Sequence, residues 1–438
     1  MEKKKLTLQQ KLDKRTYKTP NRFYNWIYHF IMADIKLGKH NPEIIYKDDI
    51  RKETGPCFII WNHLSRLDHS FICKATYPKR FSMVAEYNEF FRSHLAAVFK
   101  MMHILPKKNF CVDVKGMRAM LSIINQGGCV TIAPEGLATV TGYNERILPG
   151  TGNLLKHCKV PVYLFQFRGQ SLAAPVFSPY YRYGGKTEVT VSKLFTPERL
   201  RELKTDEIEQ IIQSAFKNDD YEWQAEHKFK WNTRGKGCEG MHEVCYKCPD
   251  CGREFTMRGE GDDVTCSACG FKIHQNEYLE LKPNRAPALY MPKHVSDWCL
   301  WERKSVIEEV RKNPNFSFAC HVKIGNIPTD HLVKNKQLSS EIVGEGEMTL
   351  DHEGIHYVGT RGGEPYRFDL SYKTYYRLVE NINTRVFSLY VDGEYFDFVP
   401  DQPVTVKMDF IVQEMHRFHF SVWKPVEEHE YLYAPYND

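Results

Sequence analysis

Three short, mostly apolar runs set the first limit on what this chain can fold into: Cys57-Phe-Ile-Ile-Trp61, Cys129-Val-Thr-Ile-Ala133 and Val160-Pro-Val-Tyr-Leu-Phe-Gln-Phe167. Each is too short for a buried helix and rich in β-branched or aromatic residues, so each reads as a buried strand. The first two end abruptly in polar residues. Asn62-His63-Leu-Ser65-Arg-Leu-Asp68 follows the first, and Pro134-Glu135-Gly136 follows the second. Open α/β sheets place their ligands at the carboxyl ends of the strands. Across residues 1–230 such runs alternate with helical patterns, which predicts an α/β layered sheet with helices.

His63 and Asp68 can meet if the His sits in a loop and the Asp lies in the first turn of the next helix. Ser65 suits the N-cap of that helix. Ser65-x-x-Asp68 also reads as a capping-box-like pair, which would occupy the Asp structurally. An Asp oxygen accepting from His Nδ1–H would fix the tautomer and leave Nε2 free to take a proton from an alcohol. That is base chemistry without a protein nucleophile.

Between these runs lie Phe81-Ser-Met-Val-Ala-Glu86 and Ile104-Leu-Pro-Lys107-Lys108. In order and spacing, residues 50–170 resemble the glycerolipid acyltransferases typified by lysophosphatidic acid acyltransferase. Asn62-His63-x4-Asp68 matches that family's first block, Ala133-Pro134-Glu135-Gly136-Leu137-Ala138 its third, and Val160-Pro161-Val162 its fourth. The resemblance implies acyl transfer from acyl-coenzyme A or acyl carrier protein to a lysolipid hydroxyl, by default that of 1-acylglycerol-3-phosphate, with no metal in the reaction. His63 would be the base and Asp68 would orient it. Backbone N–H groups near the start of the following helix would stabilise the oxyanion. Asn62, Glu135 and Gly136 would help hold the acceptor. Leu137 and Ala138 stand where the family has Thr or Ser and often Arg, and Lys107 or Lys108 replaces a block-terminal Arg. Lys107, Lys108 and Arg146 are candidate replacement cations, although Lys lacks the bidentate fork of Arg. A neutral-headed acceptor is the variant these changes allow. A catalytically weak scaffold or lipid-binding protein on the same fold is the alternative function.

Cys248-Pro-Asp-Cys251-Gly and Cys266-Ser-Ala-Cys269-Gly are fourteen residues apart. Two such turns can aim four thiolates at one centre, the preferred structural zinc geometry. With Arg253–Thr265 reading as a hairpin, residues 236–285 resemble a zinc ribbon. A site closed by four thiolates is structural, not catalytic. Glu254, Glu260, Asp262 and Asp263 argue against nucleic-acid contact, leaving a folding staple or a protein-docking knob. Cys245 lies close enough in sequence to compete for metal, but it and Cys238 read as bystanders.

No uncharged apolar run approaches the ~18 residues a membrane span needs, and Met1–Lys18 has no apolar signal core. The expectation is a cytoplasmic protein, peripheral on the inner face of the membrane. Residues 1–18 hold seven Lys or Arg against Glu2 and Asp13, and polybasic segments are drawn to anionic lipid. Arg22–Lys36 follows as an aromatic amphipathic helix, readable as an interfacial anchor or as a helix packed on its own domain.

Residues 286–438 read as a β-rich domain with helices. Trp298–Lys312 is helical, Gly344–Val358 is a strand pair turning at Gly354, and Asp392-Gly393 marks a hairpin. Lys407–Val422 reads as a closing helix. The arrangement is loosely similar to pleckstrin-homology or GRAM-type domains, a possible protein-partner surface. Residues 1–235 form the expected acyltransferase domain.

Overall fold

The computed structural model describes residues 6–380 and 384–420. Among them, 6–176, 180–234 and 328–336 form one compact unit, and 177–179, 235–327, 337–380 and 384–420 a second. Lys3, Lys4 and Lys5 of the basic segment and Val422 of the closing helix lie outside the described residues.

The first unit is built on a seven-stranded sheet. Its strands are β1 (Pro42–Tyr46), β2 (Cys57–Trp61), β3 (Ser82–Glu86), β4 (Leu105–Lys107), β5 (Cys129–Ile132), β6 (Val162–Arg168) and β7 (Thr187–Phe195), in the order β1-β7-β6-β2-β5-β3-β4. Every neighbouring pair is parallel except β6 with β7. Every residue of β2 and β5 is buried, as their unbroken apolar runs require. Phe58 and Ile60 of β2, Val130 and Ile132 of β5 and Val162 and Leu164 of β6 pack with Ile123, Leu155, Ile208 and Ile212 from the surrounding helices. Each such side chain contributes about 1.5–3 kcal/mol by leaving water. The sheet thereby becomes a rigid base for the loops at its carboxyl edge.

Arg22–His29 is helical and capped by Asn21, whose side chain accepts the Phe23 N–H at 2.8 Å. It continues as a wider turn over Phe30–Lys36. The segment packs inward through His29, which stacks on Tyr77 with ring centres 4.0 Å apart, and through Asn25 and Ala33, both buried. Its outer face carries Phe23, Trp26, Phe30, Ile31 and Ile35, all about half-exposed or more.

In the second unit, β8 (Met257–Glu260), β9 (Asp263–Cys266), β10 (Lys272–Gln275) and β11 (Leu281–Pro283) form a four-stranded antiparallel sheet. A larger antiparallel sheet follows: β12 (Ser317–Asn326), β13 (Glu341–Asp351), β14 (Ile355–Arg361), β15 (Glu364–Leu370), β16 (Val379–Glu380), β17 (Phe387–Val391) and β18 (Glu394–Pro400), in the order β15-β14-β13-β12-β18-β17-β16. Asp392 and Gly393 both have positive φ, 51° and 79°, the primed turn that Asp-Gly favours between strands. The helices are Val295–Lys312 and Thr405–Phe420. Residues 405–417 are buried throughout, so the charges there are paired: Arg417 with Glu414 at 2.6 Å, and Lys407 with Glu254 and Glu309 at 2.6 and 2.9 Å.

Candidate active site and metal centre

β2 and β5 are register partners from Cys57 opposite Cys129 to Ile60 opposite Ile132. Their carboxyl ends therefore lie side by side and bring Asn62–Asp68 against Pro134–Gly136. Asp68 opens the helix Asp68–Thr76 and folds its carboxylate back over the preceding loop. Its Oδ2 accepts from His63 Nδ1 at 2.8 Å, from the Leu64 N–H at 2.8 Å and from the Ser65 N–H at 3.1 Å. With two backbone N–H groups already donating, the carboxylate acts as acceptor, so His63 carries its proton on Nδ1 and presents Nε2 outward. The His63 side chain is 28% exposed and that of Asp68 only 2%. The base reaches solvent while its partner does not.

One local expectation is corrected here. Leu67, not Ser65, occupies the capping position of the helix. The Asp68 carboxylate itself gathers the loop N–H groups, while Ser65 Oγ donates to Asp68 Oδ1 at 3.1 Å and accepts the Leu67 N–H at 3.0 Å. The N–H groups of Leu64 and Ser65 are both engaged by the Asp68 carboxylate.

The main chain of His63 is fastened on both sides. Its N–H donates to Glu135 Oε2 at 2.5 Å, and its carbonyl accepts the Thr139 N–H at 2.9 Å. Glu135 Oε1 accepts the Glu145 N–H at 2.8 Å, and the residue is 1% exposed. Thr139 had no signal in the sequence, because a main-chain donor can belong to any residue.

Asn62, Glu135 and Gly136, the residues expected at the acceptor, are held by the following contacts within the protein. Asn62 is fully buried, donating to the Phe167 carbonyl at 3.1 Å and accepting the Phe167 N–H at 2.7 Å, which locks β2 to β6. Gly136 has φ +78°, and a Cβ there would lie 2.7 Å from Leu148 Cδ1. Its glycine is favoured by the left-handed backbone of the turn, and a Cβ there would also have to displace the Leu148 side chain. Asn109 Nδ2 donates to the Gly136 carbonyl at 3.0 Å, tying the segment after β4 to this turn. In that segment Lys107 Nζ donates to the Lys108 carbonyl at 3.1 Å, and burial lowers its pKa. Lys108 Nζ sits 4.9 Å from the Tyr87 ring centre. Arg146 follows Glu145 and is half-buried.

Cys248, Cys251, Cys266 and Cys269 form a separate cluster, with all four sulfurs within 4.8 Å of one another. The Cys248–Cys269 and Cys251–Cys266 Sγ pairs are 3.8 and 3.9 Å apart. A tetrahedron with zinc–sulfur bonds of about 2.3 Å has edges of about 3.8 Å, so the set fits that ion. The two turns are built alike. Gly252 N–H donates to the Cys248 carbonyl and Gly270 N–H to the Cys266 carbonyl, at 2.9 and 3.0 Å, with φ of +73° and +71°. Cys238 and Cys245 are buried outside the cluster.

Residues 38–165 match the family described as Acyltransferase. Among solved structures, the chain is similar to the 1-acyl-sn-glycerophosphate (LPA) acyltransferase PlsC from Thermotoga maritima, with a TM-score of 0.36 and 12% identity, over 47% of this chain and 78% of that one. The family match takes in the segment that holds the His63–Asp68 pair and the Glu135–Gly136 turn.

Proposed function

We propose that this chain is a membrane-associated O-acyltransferase that moves an acyl chain from a thioester carrier to the hydroxyl of a lysophospholipid, 1-acylglycerol-3-phosphate first among them. The observation that carries this reading is the 2.8 Å contact of His63 Nδ1 with Asp68 Oδ2, inside the matched domain and on a loop pinned by Glu135 and Thr139. Asp68 holds Nδ1–H, so Nε2 takes the proton of the acceptor O–H as its oxygen attacks the thioester carbonyl. Collapse of the tetrahedral intermediate breaks the C–S bond, and the leaving thiolate takes the proton back from Nε2. Such base catalysis is worth about 10²–10⁴-fold. Glu135 and Asn62 act as positioning residues.

The membrane part of the reading rests on the outer face of residues 22–35. Phe23, Trp26 and Phe30 form a ladder with ring centres 6.2 and 6.3 Å apart. Lys11, Lys14, Arg15 and Lys18 precede it in the chain. Aromatic residues beside basic ones suit an anionic leaflet, the cytoplasmic one. The four-thiolate cluster would hold a structural zinc.

The test is thiol release from acyl-coenzyme A and acyl carrier protein with phosphorylated and neutral lysolipid acceptors. Acceptor-dependent release that disappears in folded His63→Ala supports the proposal. No release with any pair, while the protein still binds vesicles, moves the function to a lipid-binding scaffold.

A further inference from the structure

The third acyltransferase block here carries Leu137 and Ala138, and neither brings a cation to the site. Lys107 donates to its neighbour's carbonyl, and Lys108 lies against Tyr87. Arg66 is placed differently. It stands three residues after His63, within the loop that the Asp68 carboxylate gathers, and is only partly buried. Its guanidinium lies over the Tyr181 ring at 4.4 Å, and Nη2 donates to the Tyr180 carbonyl at 3.3 Å. Tyr181 is in turn held by His40, with ring centres 5.4 Å apart.

A guanidinium stacked on an aromatic face keeps a fixed plane, and its fork matches two phosphate oxygens at once. Little side-chain entropy then remains to be lost on binding. Lys36 adds a second positive charge. It ends the aromatic segment, and together with burial its charge and that of Arg66 help hold His40 neutral. Lys36 and His63 likewise act on His69, after burial. The aromatic segment packs on the helix that Asp68 opens, through His29 against the Cys73 carbonyl at 3.4 Å.

We propose that Arg66 is the specificity-determining residue of this site, binding a phosphate group carried by a substrate. The inference rests on the acyl-transfer reading above and names the residue that recognises its charged substrate. Two sources share this chemistry, the headgroup of a phosphorylated acceptor and the phosphates of coenzyme A.

Calorimetry on the full-length protein separates them without turnover, using glycerol 3-phosphate and coenzyme A as probes, with wild type, Arg66→Lys and Arg66→Gln. Circular dichroism melts confirm that the variants are folded. Loss of glycerol 3-phosphate affinity by tenfold or more in Arg66→Gln, with partial recovery in Arg66→Lys, assigns Arg66 to the acceptor. The same loss for coenzyme A alone assigns it to the donor. Equal affinity of wild type and Arg66→Gln for both probes, or no binding of either by wild type, overturns the proposal. If wild type turns over, Arg66→Gln should raise the KM of a phosphorylated acceptor at least tenfold over that of a monoacylglycerol, with kcat within about threefold. Absence of turnover with wild-type phosphate binding intact would count against the acyl-transfer reading and not against Arg66.

Discussion

Glu135 holds His63 by its main chain: one carboxylate oxygen accepts the His63 N–H at 2.5 Å, and the other accepts the Glu145 N–H at 2.8 Å. Both oxygens face donors in a buried site. In Glu135→Gln the amide nitrogen must therefore oppose one of the two N–H groups. Leaving a buried donor unsatisfied costs about 1–3 kcal/mol, and either choice loosens the loop that carries His63. A base displaced by about 1 Å can cost 10²-fold in rate. Glu135→Gln should lower kcat by ten- to a hundredfold with little change in acceptor KM, and lower the melting temperature. A selective rise in acceptor KM at unchanged kcat would return Glu135 to direct acceptor binding.

How much of this was readable from the sequence depends on which atoms do the work. β2, β5 and β6 were legible because a strand buried on both faces is mostly apolar along its length. β1 alternates half-buried and exposed residues, and β7 alternates along most of its length, so neither forms such a run. His63 and Asp68 were legible as a pair because one short loop joins them. The partners of Glu135 were not, since the N–H groups of His63 and Glu145 leave no mark on residue type. Arg66 was not legible, because the Tyr181 ring that holds its guanidinium lies far along the chain.

The four-thiolate cluster predicts about one zinc per chain. The strands around it are three or four residues long, too short to hold together on their own core. Metal binding of about 10–16 kcal/mol is the free energy available to fold such a piece. Chelation, or Cys266→Ser, should expose the thiols to alkylation and abolish hydrogen-exchange protection in residues 257–283. Protein purified without chelator that holds no metal, yet keeps this protection, would exclude the role.

The aromatic face of residues 22–35 should insert into lipid. Phe23 is 61% exposed, and Trp26 and Phe30 are each 49% exposed. Burying one such ring is worth about 1.5–3 kcal/mol. Trp26→Glu with Phe30→Glu should weaken sedimentation with vesicles by at least a hundredfold at unchanged melting temperature. Binding by wild type should also fall with added salt on anionic vesicles, because the flanking lysines are screened. Equal vesicle binding by the double variant would remove this face from the membrane contact.

His40 should make the first unit sensitive to acid. Its ring stacks on Tyr183 at 5.0 Å, and burial, reinforced by Lys36, Arg66 and Lys39, lowers its pKa to about 4. In the unfolded chain an imidazole titrates near 6.5. Between those values the unfolded chain binds a proton that the folded chain does not, so stability falls as the pH drops from about 6.5 to about 4 and is fully present above that window. At the acid end the loss from this one group is about 3 kcal/mol. The His40 carbonyl accepts from Thr187 Oγ1 at 2.7 Å, next to where β1 pairs with β7. Hydrogen-exchange protection of Ile44–Tyr46 and Val189–Val191, corrected for the intrinsic rate at each pH, should therefore decline across the window. His40→Gln removes the titrating group and should flatten that decline by nearly one proton's worth of slope, while lowering protection at pH 7 through the lost stacking. An acid limb of the same slope in wild type and variant would show that His40 titrates normally.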